Sequence, residues 1–200
     1  MLEIISHRGI CNSEESSLAG IQNCIKFNFG LELDLRKNEN DVYISHDKLS
    51  NGLLLEDTCS FLKNSTTKIF FHIKELSALD ETLELLSKFD IKNFFIFNTE
   101  NNELFLKKNI PTADYINKKP TKTHSKILWC DETKEEWFDK EIISDLHKQN
   151  KILFAHSLEL IKDSTFSEIK QEWKRIDSLG FDGLCTNFPL ECSKFLGVNH

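Results

Sequence analysis

Two carboxylates, Glu32 and Asp34, stand two residues apart in the run LELDLR. On a strand, that spacing sends both side chains to one face and leaves Leu31, Leu33 and Leu35 on the other. If the acidic face is enclosed, two like charges share a small volume and repel, unless a cation lies between them. A hard divalent ion with oxygen ligands, Mg²⁺ or Ca²⁺, answers that requirement. Two histidines sit in matching contexts: His7 follows EIIS and His46 follows VYIS. Imidazole titrates near neutral pH, so such a pair suits general acid and general base work. Arg8, next to His7, carries a planar fork that fits a phosphate. Taken singly, each of these residues has an ordinary structural explanation. Their convergence is the signal.

Short apolar, β-rich runs recur at 3–6, 31–35, 42–45, 68–73, 93–97, 127–130, 152–155 and 183–186, with a weaker one at 112–116. Helical spacing separates most of them, over 16–27, 78–89, 134–149, 165–179 and 190–195. Strand–helix alternation along a whole chain indicates parallel β-structure with helical crossovers. With 42–45 taken as an extension of the second strand, eight units result. That count predicts an α/β fold, a (β/α)₈ TIM barrel forming one domain over 1–200. An open doubly wound sheet is the alternative, but its first turn is normally Gly-rich, and here it reads HRGI. In a barrel, chemistry belongs at the C-terminal strand ends. Those ends carry His7, Arg8, His46, His72, Lys74, Asn98, Asp131, His156 and Asn187.

HRG at 7–9, EESSLAGI over 14–21, LELDLR at 31–36 and ISHD at 44–47 together resemble the signature of glycerophosphodiester phosphodiesterases. FFHIK at 70–74 and LCTNFP at 184–189 are similar, more loosely, to later segments of that family. The resemblance implies a (β/α)₈ barrel related to phosphatidylinositol-specific phospholipase C. It also implies metal-assisted hydrolysis of a small-molecule phosphodiester to an alcohol and a phosphomonoester. By position it makes His7 and His46 the acid/base pair, and Arg8 and Lys74 phosphate contacts. Glu32 and Asp34 become metal ligands. The third metal carboxylate of the family falls at His72, whose nitrogen favours softer ions such as Mn²⁺ or Zn²⁺. Asp131 is an alternative third ligand, and a phosphate-ester-binding relic without catalysis is the alternative function. The family's PENT-like stretch has become EESS, keeping Glu15.

The chain has 200 residues, 40% hydrophobic and 28% charged, enough apolar material for a core. A net charge of −7, with no basic stripe, argues against a nucleic-acid partner. No run approaches the ~20 apolar residues of a membrane span. Six scattered cysteines form no CxxC pair and read as reduced, and MLEIISHRG lacks the features of a secretory signal. These features point to a cytoplasmic protein. Trp129, at the end of a strand, is a candidate to stack on a ligand, and His156 is a candidate to line the pocket. Trp137 and Trp173 read as helical packing residues. His124, His147 and His200 have no evident partner.

Overall fold

The computed structural model describes residues 2–48, 52–98 and 102–198; His200 lies outside them. The chain runs β1 (Glu3–Ser6), α1 (Leu18–Lys26), β2 (Gly30–Lys37), β3 (Val42–Ile44), β4 (Leu53–Leu54) and α2 (Leu55–Leu62). It continues through β5 (Ile69–Ile73), α3 (Leu79–Lys88), β6 (Phe94–Phe97), α4 (Asn102–Lys107) and β7 (Ala113–Ile116). The last elements are β8 (Ile127–Cys130), α5 (Lys140–Lys148), β9 (Ile152–His156), α6 (Phe166–Leu179), β10 (Gly183–Thr186) and α7 (Pro189–Leu196).

Eight of the strands pair in parallel, in the order β6, β5, β2, β1, β10, β9, β8, β7. The sheet curls, and an isolated parallel bridge links Ile96 of β6 to Thr112, the residue before β7. The Ile96 amide donates to the Pro111 carbonyl at 2.8 Å beside that bridge. The fold is therefore mixed α/β with a curled eight-stranded parallel sheet.

Two apolar layers follow from the strand period of two. Leu31, Leu33 and Leu35 of β2 face outward and join a core with Ile21, Cys24, Leu86 and Trp173 from the helices. Inward-facing Ile5, Phe70, Phe97, Trp129, Phe154 and Cys185 form a separate inner core. Phe70 packs against Trp129 and Phe154 with ring centroids 4.3 and 4.8 Å away. This aromatic plug fills the interior beneath the C-terminal strand ends.

Three expectations are corrected. The 42–45 run does not extend the second strand; β3 folds back antiparallel on β2, pairing Ile44 with Leu35 and Val42 with Lys37. Asn38 causes the reversal, its Oδ1 accepting the amides of Asn40 and Asp41 at 2.9 and 2.7 Å. The helix expected over 134–149 begins only at Lys140. Glu132 captures the amides of Trp137 and Phe138, and Asp139 caps the helix through Glu141 and Ile142. Trp137 thus packs from a loop, whereas Trp173 is helical. His147 does have a partner, Asp182 at 3.0 Å. The helices α2 and α4 were not expected from the sequence. All six cysteines are free and buried, and no helix among the described residues is long and apolar enough to cross a membrane.

Packing of α1 sets the position of the His7–Gly9 turn. Arg8 and Gly9 both adopt left-handed backbone, with φ of 50° and 64°. A Cβ added at Gly20 would stand 2.3 Å from the Gly9 carbonyl oxygen. Ala normally stabilises a helix interior relative to Gly, but here it must push the turn away. We expect Gly20→Ala to lower stability by about 1–3 kcal/mol, read as a drop in Tm. A rise in Tm would show that the helix and turn are not tightly packed.

Candidate active site

The parallel register assembles the site. Asp34 on β2 lies beside His72 on β5, and His72 lies beside Phe97 on β6. His7 and Arg8 enter from the turn after β1, and Lys74 follows β5 directly. His46 arrives from the loop after the β2–β3 hairpin, where its carbonyl accepts Arg36 Nε at 2.8 Å. His7, Arg8, Glu32, Asp34, His46, His72, Lys74 and Trp129 all border one pocket of about 150 Å³, together with Phe97, Tyr115 and His156. A larger groove of about 530 Å³ lies beside α6. There Arg175 pairs with Glu132 and Glu172.

Asp34 is the hub. His72 Nδ1 stands 3.0 Å and Lys74 Nζ 3.2 Å from its Oδ1, and Arg8 Nε lies 3.2 Å from its Oδ2. Burial alone would raise this carboxyl, but the His72 hydrogen bond and the charges of Lys74 and Arg8 hold it below the ordinary carboxylate range. Glu32, equally buried, has far less support. It accepts the Arg8 amide at 3.2 Å, and His7 Nε2 is 3.9 Å away. Burial and the neighbouring Asp34 charge push Glu32 well above its usual value.

Glu32, Asp34 and His72 each offer a ligand atom, all within 4.8 Å of one another. Asp34 Oδ2 is buried without a hydrogen bond, since the nearby Arg8 Nε does not form one with it. An under-neutralised carboxylate pair with an orphaned oxygen and an adjacent imidazole fits a divalent cation. Phe97 stacks on His72 at 4.6 Å and 18° and holds the ring against Asp34.

The two histidines differ in setting. Burial drives His7 down to about 3, helped by the Arg8 and His156 charges and opposed by its hydrogen bond to Asn187. Its Nδ1 lies 2.7 Å from Asn187 Oδ1. The Asn187 amide in turn donates to Glu159 at 2.9 Å, and Glu159 also accepts the Thr186 and Ser157 hydroxyls. His46 is more open, with Nδ1 2.8 Å from Asp47. The Arg8 guanidinium also reaches Glu15, at 2.9 Å.

Two sequence-based expectations change. Trp129 borders the pocket but is fully buried, so no face is open for a ligand to stack on. Asp131 is not a third metal carboxylate. Its oxygens are taken by the Thr133 amide and hydroxyl, the Tyr115 hydroxyl and the His156 ring. Tyr115, Phe97 and Glu159 were missed. The first two also sit at C-terminal strand ends, a signal that could have found them; Glu159, in an ordinary SLEL turn, carries none.

Comparison with solved structures agrees with this architecture. A glycerophosphoryl diester phosphodiesterase from Parabacteroides distasonis superposes with a TM-score of 0.76 at 14% identity, over 98% of this chain and 86% of that one. A Ca²⁺-dependent phosphatidylinositol-specific phospholipase C from Streptomyces antibioticus gives 0.60 at 8% identity, over 97% and 95%. No protein-family model and no curated protein matches the chain. The chain has the fold shared by these two kinds of phosphodiesterase.

The Asp131 contacts carry a pH signature. Hydrogen bonds from His156, Thr133 and Tyr115 outweigh burial and lower this carboxyl to about 2. A carboxyl depressed on folding stabilises above its unfolded value near 4 and loses that stabilisation as pH falls towards the folded value. We expect Asp131→Asn to cost about 2–3 kcal/mol at pH 7, a gap that closes between about pH 4 and pH 2. Denaturant titrations across that range check it; a gap independent of pH would mean that Asp131 acts through shape alone.

Proposed function

We propose that this protein is a metal-dependent phosphodiester hydrolase built on a closed (β/α)₈ barrel. The observation that carries the reading is the buried Glu32–Asp34 pair ringed by His7, Arg8, His72 and Lys74 at one end of the parallel sheet. The bridge from Ile96 of β6 to Thr112, just before β7, supports closure. The likeness to a glycerophosphoryl diester phosphodiesterase supports small phosphodiesters of that type as substrates. Six free cysteines support a cytoplasmic setting.

Glu32, Asp34 and His72 would hold the divalent ion, which when bound supplies charge neutralisation at the phosphoryl oxygens. Mg²⁺ or Ca²⁺ suits the carboxylates, and His72 extends the range to Mn²⁺ or Zn²⁺. Arg8 and Lys74 bring cationic donors to the same oxygens. His7 acts as the base: it is neutral at pH 7, and Asn187 holds its Nδ1 so that Nε2 is free to take a proton. A water oxygen attacks phosphorus and gives its proton to His7. The bond between phosphorus and the departing alcohol oxygen breaks, and His46 donates the proton that oxygen needs. His46 is open enough to reload from solvent. Hydrolysis of a glycerophosphodiester to an alcohol and a phosphomonoester is balanced by these two transfers.

Phosphorus NMR of a glycerophosphodiester incubated with the full chain tests this. We expect turnover that a chelator removes and a divalent ion restores. We further expect His7→Ala and His46→Ala each to lower kcat by about 10²–10⁴-fold with Tm little changed. Absence of turnover with Mg²⁺, Ca²⁺, Mn²⁺ and Zn²⁺ would contradict the reading and favour a phosphate-ester-binding relic. Loss of activity with a collapse in Tm would make the histidines structural.

A further inference from the structure

His46 reaches the pocket from beyond the end of β3, and its ring partner, Asp47, is itself exposed. The Ser45 amide donates to the Asp34 carbonyl at 3.0 Å, the last backbone bond of the β2–β3 hairpin. Beyond it, Arg36 Nε donates to the His46 carbonyl at 2.8 Å. Among the described residues, this is the one hydrogen bond to the backbone of 46–48. Arg36 stands two residues after Asp34 on β2, so the strand period puts it on the carboxylate face. Its guanidinium is largely buried and also donates to Glu75 Oε1 at 2.8 Å. Glu75 is fixed in turn. It follows Lys74, whose amide donates to the Leu35 carbonyl at 3.0 Å, and Lys48 Nζ lies 3.4 Å from the same Glu75 oxygen. A planar guanidinium holds two acceptors in set directions at once, which an ammonium point charge does not. Arg8 and Lys74 face Asp34, whereas Arg36 borders neither the carboxylates nor the pocket. Its two bonds both serve to join the His46 segment to the turn after β5.

We propose that Arg36 is a positioning residue for His46: it clamps the carbonyl of that residue to Glu75 and so sets the imidazole over the departing alcohol oxygen. The proposal rests on the reading of His46 as the acid. One strand then carries both halves of the geometry, because Asp34 and Arg36 are neighbours on a single face of β2. Proton delivery counts most where the leaving oxygen is strongly basic. An alkyl alcohol needs the His46 proton as its bond to phosphorus breaks, whereas 4-nitrophenolate leaves without one. Loss of the clamp should therefore weigh more on alkyl esters than on aryl esters. A defect in phosphate or ion binding would weigh on both alike.

Two measurements on the full chain test it. Backbone amide relaxation by NMR needs no turnover. We expect the His46 order parameter to fall from a rigid value of about 0.85 to below about 0.6 in Arg36→Met, with 69–73 unchanged. The second measurement is kcat for a glycerophosphodiester and for bis(4-nitrophenyl) phosphate, with the divalent ion that supports turnover. The alkyl-to-aryl ratio should fall about tenfold or more in Arg36→Met, and by less in Arg36→Lys, which keeps a charge facing Glu75. Adding Arg36→Met to His46→Ala should not lower the ratio further. A merely structural role would lower both rates together and leave the ratio unchanged. Arg36→Lys remains informative if Arg36→Met fails to fold. A His46 amide that stays rigid in the folded variants, or one that loosens without a change in the ratio, would overturn the proposal. Equal losses on both esters in His46→Ala would remove His46 as the acid, and the proposal with it. If the wild type turns over neither ester, the hydrolase reading fails, and the relaxation of His46 still decides whether Arg36 holds it.

Discussion

Asp34 is a buried carboxylate that three cationic or proton-donating groups approach at once: His72, Lys74 and Arg8. Burying a carboxylate is costly unless it is paired and hydrogen-bonded, so the groups that satisfy it must be held firmly. Each comes from a different part of the chain. β5 supplies His72 by register, Lys74 follows one residue after that strand, and Arg8 hangs from a left-handed turn braced by α1. Glu32, on the same face of β2, remains buried with little support, and that imbalance makes the pair receptive to a further cation. The electrostatic need of two side chains thus ties together β1, β2, β5 and α1.

The aromatic plug beneath the site serves the same end. Phe70, Phe97, Trp129 and Phe154 fill the interior below the strand ends, which removes water from under the carboxylates and lowers the local dielectric. In such surroundings charge placement matters more than in water. Phe97 belongs to both regions, since it is a plug residue and stacks on His72. Behind the pocket, Glu159 anchors Asn187 and through it the ring of His7. A hydrogen bond from Trp173 to Ser157 at 2.7 Å extends that chain to α6. Positioning of the pocket histidine therefore reaches into the helical layer.

Much of this was legible in the sequence. The period of two around Glu32 and Asp34 placed both carboxylates inward and the leucines outward, and the structure does the same. His7, Arg8, His72 and Lys74 were readable because they close short apolar runs. His46 was readable as a residue but not in its route, because an apolar run does not encode the direction of pairing; Asn38 reverses the chain before it. Trp129 read as an open ring because a strand-end position does not show how deep the strand sits. Asp131 looked available as a ligand, yet Tyr115 and Thr133, distant or unremarked in the sequence, consume it. Glu159 had no signal, since its role exists only once β9 and β10 lie side by side.

The buried pair on β2, with His72 beside it, is the proposed cation site. Anomalous diffraction from crystals soaked in Mn²⁺ tests it most directly. One strong peak is expected in the pocket, coordinated by oxygens of both Glu32 and Asp34, and it should disappear in Asp34→Asn. Full soaking with no peak between these carboxylates, or with one bound elsewhere and unaffected by that substitution, would contradict it.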